Sequence, residues 1–361
     1  MKVLMINTLG LQTGGITISM LNYIKNIRRD KIQIDITSTM KFDQEMVDQF
    51  KENKCKIYYL RHRKSDLIGY LKDLYDVLIN NQYDIVHVHG NSATITFELA
   101  IAFIAGVKIR IAHSHNTTCD HKKMDKILRP FFYLLCNGRF ACGKDAGKWL
   151  FGKRRFEIIY NGIDIDKFKY DVTFRKRIKK ELDIDDDAVL LGNIGNLNTQ
   201  KNQNYLLKIM KNLTTKSQRN YKLIIIGKGE LEQILKKQTK ELGLEESVNF
   251  VGQINNVNEY LSALDCMIMP SLYEGFPVTL VEAQVSGLKC LISDNITEEV
   301  MATDLIKRLS LDKSSEWIRN ITEMKYVDNR EKYYEIMHKK GFTIIENAQK
   351  LEHQYIKLFN I

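Results

Sequence analysis

Short apolar runs alternate with stretches of helical periodicity along most of the chain. In the first half, Lys2–Thr8, Ile32–Thr39, Lys56–Leu60, Asp84–His89 and Ile109–Ser114 are too short and too continuously apolar for amphipathic helices. They read as strands buried on both faces. Phe140–Gly143 and Glu157–Tyr160 are the last runs of this half, and helical patterns intervene at Ile16 to about Arg28 and at Asp66–Asn80. The second half repeats the alternation. Its strands are expected at Ala188–Ile194, Tyr221–Ile226, Val248–Gly252, Cys266–Met269 and Cys290–Ser293, with a helix at Asn256–Leu264. Beyond them come a run from Thr303 to Leu311, a helix around Trp317 and a last helix from about Phe342 to Phe359. Alternating strand and helix signals specify open, mostly parallel sheets covered by helices, so the fold class is α/β.

The stretch Asp265–Asp294 concentrates the chemistry. Strand Cys266–Met269 ends at Pro270, a loop follows, and Pro277 stands where a first helical position would fall, since its missing N–H costs nothing there. The helix then runs from Val278 to Gly287, whose lack of a Cβ suits a helix C-terminus. In parallel sheets, ligands bind beyond the carboxyl ends of the strands, where this loop and helix start lie. The free N–H groups of a first helical turn attract anions such as a diphosphate. Glu274 in the loop and Glu282 in the helix would repel that anion unless they face neutral hydroxyls at its two ends. A nucleotide sugar has that form, with one glutamate for the sugar and one for the ribose. Without further context, a dipole-stabilised loop glutamate and a solvated helical one would be the better explanation of the pair.

The context supplies more. PSLYEGFPVTLVEAQVSGLKCLISD closely resembles the donor-binding signature of retaining glycosyltransferases of family 4. The resemblance implies the GT-B fold: two Rossmann-like domains facing each other across a cleft. Residues 1–163 would form an acceptor-binding domain completed by the C-terminal helix 342–361, and residues 164–341 a nucleotide-sugar domain. Tyr160-Asn161-Gly162-Ile163-Asp164 is similar to the family's hinge segment, and Asn-Gly favours a left-handed turn there. By the same likeness Glu274 holds the sugar, while Gly275, Phe276, Pro277, Val278, Thr279 and Glu282 complete the donor site. Lys201 clamps the diphosphate as a point charge. Asn196 stands where the family usually has Arg, which leaves Lys201 the main clamp. Gly227 and Gly229 form a turn able to approach the nucleotide base. In the first half, Gly14 and Gly15 open a helix after the first strand and face donor phosphate and acceptor. RIAHSHN is similar to the segment whose histidine touches the donor sugar; His115 is the better match and His113 the second, placed towards the acceptor. Glu274, His115 and Lys201 are the catalytic candidates.

No H-E-x-x-H motif or cysteine cluster with ligand spacing suggests zinc, and no metal or other cofactor is expected. The D-x-D strings Asp164/Asp166 and Asp183/Asp185 read as surface, as does the basic cluster Arg175–Lys180 beside Asp183–Asp187. The six cysteines read as reduced core residues.

Charge sharpens the partners. The net charge of +10 resides wholly in residues 1–163, which hold 25 basic and 15 acidic side chains; the remainder holds 29 of each. A basic face attracts anionic lipid headgroups or nucleic acid. No aromatic residues interleave with the basic clusters as single-strand binders require, so nucleic acid is not expected. Arg61-His62-Arg63-Lys64, Lys122, Lys123, Lys126, Arg129 and Lys153-Arg154-Arg155 are the candidate membrane contacts; Phe131–Leu135 between them could enter the interface or be core, and core is the preferred reading. Met1-Lys2 leads straight into a run too short for a secretory core. The expected location is cytoplasmic, peripheral to the inner face of the plasma membrane. The resulting expectation is transfer of a hexose, with retention, from a nucleotide sugar of UDP type to a lipid-linked glycan in capsule or exopolysaccharide assembly. A sugar-nucleotide epimerase on the same fold, or a silent protein binding nucleotide sugar or nucleic acid, are the alternatives.

Overall fold

The computed structural model describes residues 1–8, 10–12, 14–39, 42–217 and 219–360. The chain divides into two compact units: Met1–Gly162 with Thr343–Ile361, and Ile163–Phe342. Ile361, the end of the segment expected to complete the first unit, lies outside the described residues.

The first unit contains strands β1 (Lys2–Asn7), β2 (Gln33–Thr39), β3 (Ile57–Leu60), β4 (Ile85–Gly90), β5 (Ile109–Ser114), β6 (Gly138–Ala141) and β7 (Glu157–Ile158). They form one parallel sheet in the order β3-β2-β1-β4-β5-β6-β7. Helices α1 (Gly15–Asn26), α2 (Gln44–Glu52), α3 (Leu67–Asn81), α4 (Thr96–Ile104), α5 (Lys122–Leu135) and α6 (Lys144–Phe151) connect them. Both faces of the sheet are buried: one core gathers around Met5, Tyr23 and Phe50, the other around Leu4, Leu74 and Phe132. The strands therefore read as continuous apolar runs rather than alternating ones.

The second unit has α7 (Val172–Glu181), β8 (Val189–Ile194), α8 (Gln203–Lys216), β9 (Tyr221–Ile226), α9 (Glu232–Glu241), β10 (Val248–Gly252), α10 (Val257–Ala263), β11 (Cys266–Met269), α11 (Val278–Val285), β12 (Lys289–Ser293), β13 (Ile306–Leu309), α12 (Ser314–Thr322) and α13 (Lys332–His338). Its parallel sheet runs β10-β9-β8-β11-β12-β13. The last helix, α14 (Ile344–Phe359), returns to the first unit, where Leu351 and Tyr355 join the core around Met5.

Four local readings need correction. Neither Asn161 nor Gly162 adopts a left-handed backbone; Gly162 is needed because a Cβ there would lie 2.6 Å from the Cα of Ile344. Pro277 caps α11 with ψ 104° instead of entering it. Arg175 and Lys179 are not a solvated patch. Lys179 is buried, its ammonium donating to the carbonyls of Asp185, Asp186 and Ala188 at 2.9–3.1 Å, and Arg175 pairs with buried Asp265 at 2.8 Å. The segment Phe131–Leu135 ends a fourteen-residue helix, α5, and only Phe132 among its residues is fully buried. No helix among the described residues is long and apolar enough to cross a membrane.

Candidate functional site

In a doubly wound sheet the strand order reverses at a switch point, and the loops leaving the two strands there diverge to open a crevice. In the second unit that point lies between β8 and β11. The loop after β8 carries Asn196 and Lys201, and the loop after β11 carries Glu274. Backbone and amide hydrogen bonds lace the two loops together. Asn202 Nδ2 donates to the Pro270 carbonyl at 3.1 Å, Leu272 N–H to the Gln200 carbonyl at 2.8 Å, and Gln200 Nε2 to the Tyr273 carbonyl at 3.0 Å. Asn202 stands in the left-handed region, φ 55°, a conformation Asn tolerates better than most residues. Asn198 caps the turn by accepting from Lys201 N–H at 3.1 Å.

This bracing aims the Lys201 ammonium at Glu274, 2.7 Å away, and Gln200 Nε2 reaches the other carboxylate oxygen at 3.3 Å. Both charged side chains are mostly buried, at 16% and 8% exposure, so each needs the other to offset lost hydration. Asn196, standing in the position expected for a second cation, is exposed and offers no charge. The remaining donor candidates lie close by in sequence: Gly275, Phe276 and Pro277 are buried, and Val278 and Thr279 open α11 half-buried, with no side chain capping its N–H groups. An uncapped first turn of this kind attracts anions in general.

Glu282 lies one turn further along α11. Its surface is partly accessible, yet the carboxylate is set among protein atoms on most sides. Burial pushes its pKa up to about 7, and Lys167 pulls in the opposite direction. Gly227 and Gly229 do more than leave room for a ligand. A Cβ on Gly227 would lie 2.0 Å from the Gly195 carbonyl, and one on Gly229 2.2 Å from that of Leu197. These glycines therefore fit the β9 turn against the loop that carries Lys201.

The first unit has its own switch point, between β1 and β4. Gly14 is the N-cap of α1 with no side-chain cap, and a Cβ at Gly15 would meet nothing within 4 Å. Among the described residues, nothing closes that helix end. Beside it, β4 and β5 each present histidines at alternate positions, so His87, His89, His113 and His115 fall on one face. Their rings form a stack with centroids 4.2–5.2 Å apart. Tyr355 Oη lies 2.6 Å from His87 Nδ1, His87 Nε2 3.2 Å from His113 Nδ1, and His89 Nδ1 2.8 Å from His115 Nε2. Burial drives all four pKa values down, that of His115 to about 3, so the stack is neutral at pH 7. His113, expected to face the acceptor, is wholly buried. It has no solvent-accessible surface and lies behind His115, which retains 8% exposure. Ring nitrogens of His87, His89 and His113 lie within 4.8 Å of one another, as metal ligands can. The His87 and His113 rings are almost parallel, at 3°, and their hydrogen bond occupies His87 Nε2 and His113 Nδ1, while buried Nε2 of His89 has no hydrogen-bond partner among the described residues.

Sequence reasoning passed over Gln200, Asn202 and Lys167, whereas the His87–His89 and His113–His115 pairs at two strand ends were expected to point towards one crevice. The repeated H-x-H at two strand ends was the available signal, because alternate strand residues share a face.

Residues 13–167 match the model described as Glycosyltransferase Family 4, and residues 174–342 that described as Glycosyl transferases group 1. EpsF of Bacillus subtilis, named as a glycosyltransferase, is 31% identical over 327 residues, covering 86% of this chain and 85% of that protein. The UDP-Gal:alpha-D-GlcNAc-diphosphoundecaprenol alpha-1,3-galactosyltransferase of Escherichia coli is 26% identical over 310 residues, 80% of this chain and 79% of that one. The capsular polysaccharide biosynthesis glycosyltransferase CapH of Staphylococcus aureus is 23% identical over 364 residues, 96% of each chain. The crystal structure of Anabaena HepE in complex with UDP-glucose matches at a TM-score of 0.81 with 16% identity, over 99% of this chain and 100% of that one. That likeness shows a shared fold.

Proposed function

The chain belongs to glycosyltransferase family 4, and we propose that it moves a hexose, with retention of configuration, from a UDP-sugar to a lipid-linked glycan. Glycosyl transfer is the activity its relatives' names share, and the name of CapH adds capsular polysaccharide biosynthesis. The finer reading rests first on the Lys201–Glu274 pair at the β8/β11 switch point, 2.7 Å apart beside the open N-terminus of α11. A diphosphate arriving there meets one ammonium and a turn of free N–H groups, which stabilise the charge that grows on it as the sugar leaves. Lys201 then transfers from Glu274 to phosphate, and Glu274 is released to bind sugar hydroxyls. Glu282 accepts from the ribose diol. In the first unit, Gly14 and Gly15 serve donor phosphate and acceptor, and His115 offers a neutral ring to the donor sugar. Two names support the choice of substrates: a HepE complex contains UDP-glucose, and the E. coli relative's name specifies a UDP-sugar and a diphosphoundecaprenol acceptor. The excess of basic residues in the first unit supports work at an anionic membrane surface.

The test is a panel of nucleotide sugars screened for thermal stabilisation, followed by turnover with a diphosphoprenol-linked monosaccharide and assignment of the product anomer. A UDP-sugar should raise Tm and be consumed only with the lipid-linked acceptor. Stabilisation by purine nucleotide sugars alone, or an inverted product, would overturn the reading.

A further inference from the structure

The charge of the first half predicts electrostatic membrane contact, with Phe131–Leu135 able to enter the interface but read in preference as core. The structure alters both parts. Of the cations singled out, Arg61 is forked onto Asp73 at 2.8 Å, Arg63 onto fully buried Glu98 at 2.5 Å, and Arg129 onto buried Asp125 at 2.7 Å. These charges are neutralised within the fold. What α5 shows to solvent is different. Met124 (46% exposed), Ile127 (64%), Phe131 (58%) and Leu134 (80%) recur at intervals of three, four and three residues. At 100° per residue they occupy an arc of about 80° and a length of roughly 15 Å. Lys122, Lys123 and Lys126 are exposed along one flank and form no ion pair among the described residues. No acidic side chain of this helix reaches the surface.

The orientation of the helix is locked. Asp125 accepts from Ala93 N–H at 2.7 Å, Arg129 donates to the Trp149 and Leu150 carbonyls at 3.1 and 3.2 Å, and Phe132 is buried in the core. The apolar stripe therefore cannot roll inward, and water faces four large hydrophobic side chains unless something covers them. In the same helical layer, α4 ends in exposed Phe103 and Ile104 just before Lys108, and α3 exposes Ile68 and Ile79.

We infer that α5 is an in-plane membrane-docking helix: Met124, Ile127, Phe131 and Leu134 enter the acyl boundary of an anionic leaflet while Lys122, Lys123 and Lys126 meet its phosphates. Helices that lie in a membrane interface have this division, an apolar face beside a lysine-rich one. Charge selects the partner: an apolar face whose only exposed charges on the same helix are lysines, in a unit carrying the entire positive excess, is complementary to a lipid surface bearing phosphates. The inference relies on the proposed lipid-linked acceptor only for its biological sense; the geometry stands without it.

Full-length protein would be tested with phosphatidylcholine vesicles and with vesicles containing 30% phosphatidylglycerol. Phe131→Trp should show a blue-shifted emission, quenched by brominated acyl chains, with the anionic vesicles only. Ile127→Ser/Phe131→Ser/Leu134→Ser should lower the bound fraction at least tenfold at all salt concentrations. Lys122→Ser/Lys123→Ser/Lys126→Ser should lower it at low salt, and wild type should keep a residual bound fraction at 0.5 M salt. All three variants alter exposed side chains, and an unchanged Tm would show that they fold. An emission from the Phe131→Trp variant that stays unshifted while vesicles are bound overturns the inference. So does a stable dimer in sedimentation equilibrium that the apolar triple variant abolishes, since a second copy would then cover the stripe. UDP-sugar stabilisation, measured on the same samples, fails separately if the proposed activity is wrong.

Discussion

Glu282 gives the sharpest test of the donor site because its protonation can be followed without disturbing the fold. Burial pushes its pKa up to about 7 in the unliganded protein. If the carboxylate accepts hydrogen bonds from the ribose diol, only the ionised form binds well. The ionised fraction is about one tenth at pH 6 and about nine tenths at pH 8, so UDP-glucose affinity should rise about tenfold across that range, or ~1.4 kcal/mol. The sign is set by the acceptor role: binding strengthens as pH rises and levels off above about pH 8. UDP-glucose is the right probe because its phosphates do not titrate in this window, and His115 is neutral throughout it. Glu282→Gln should bind weakly with no pH dependence. Lys167→Met removes the charge that favours the ionised carboxylate and should move the midpoint upward. Calorimetric titrations at half-unit steps provide the measurement. A wild-type Kd that is flat between pH 6 and 8, or a slope that survives in Glu282→Gln, would refute the assignment of Glu282 to the diol.

The Lys201–Glu274 pair predicts opposite effects on binding and turnover. Glu274→Gln should free Lys201, raise UDP affinity several-fold and still depress kcat strongly, whereas Lys201→Ala should nearly abolish UDP binding and Asn196→Arg should tighten it; weaker UDP binding by Glu274→Gln would refute the exchange. The buried histidine stack predicts acid sensitivity. Each imidazole kept neutral in the fold but free to protonate when unfolded lowers stability by about 1.4 kcal/mol between pH 7.5 and 5.5, so four lower it by about 5 kcal/mol. This loss is absent above the unfolded pKa near 6.5 and grows as pH falls. Urea unfolding at the two pH values checks it, and a loss no larger than one histidine's share would count against a neutral stack. Gly162→Ala should destabilise the protein by roughly 1–3 kcal/mol, because its Cβ meets the backbone of Ile344; an unchanged Tm would refute this close approach.

The sheets were legible in the sequence because parallel strands buried on both faces leave uninterrupted apolar runs, and those runs need no long-range information to be seen. The same holds for the α11 unit, where Pro277, Gly287 (φ 62°) and the apolar periodicity between them bracket a helix locally. Motif likeness picked out Lys201 and Glu274 although 73 residues separate them, but their ion pair and the Gln200 and Asn202 braces arise only when β8 and β11 pair at the centre of the sheet. Lys179 illustrates the opposite outcome. A run of basic residues beside aspartates looks solvated in one dimension, and only the folded turn brings three carbonyls to its ammonium. His113 likewise reads as a strand-end ligand until His87, His89, His115 and Phe140 close around it. For α5 the sequence holds the periodicity of Met124, Ile127, Phe131 and Leu134, but not the direction in which that stripe points. Direction was decided by Asp125, Arg129 and Phe132, which anchor the opposite side of the helix to the core. An amphipathic pattern specifies two faces, and which of them is buried depends on the neighbours that tertiary structure brings to each.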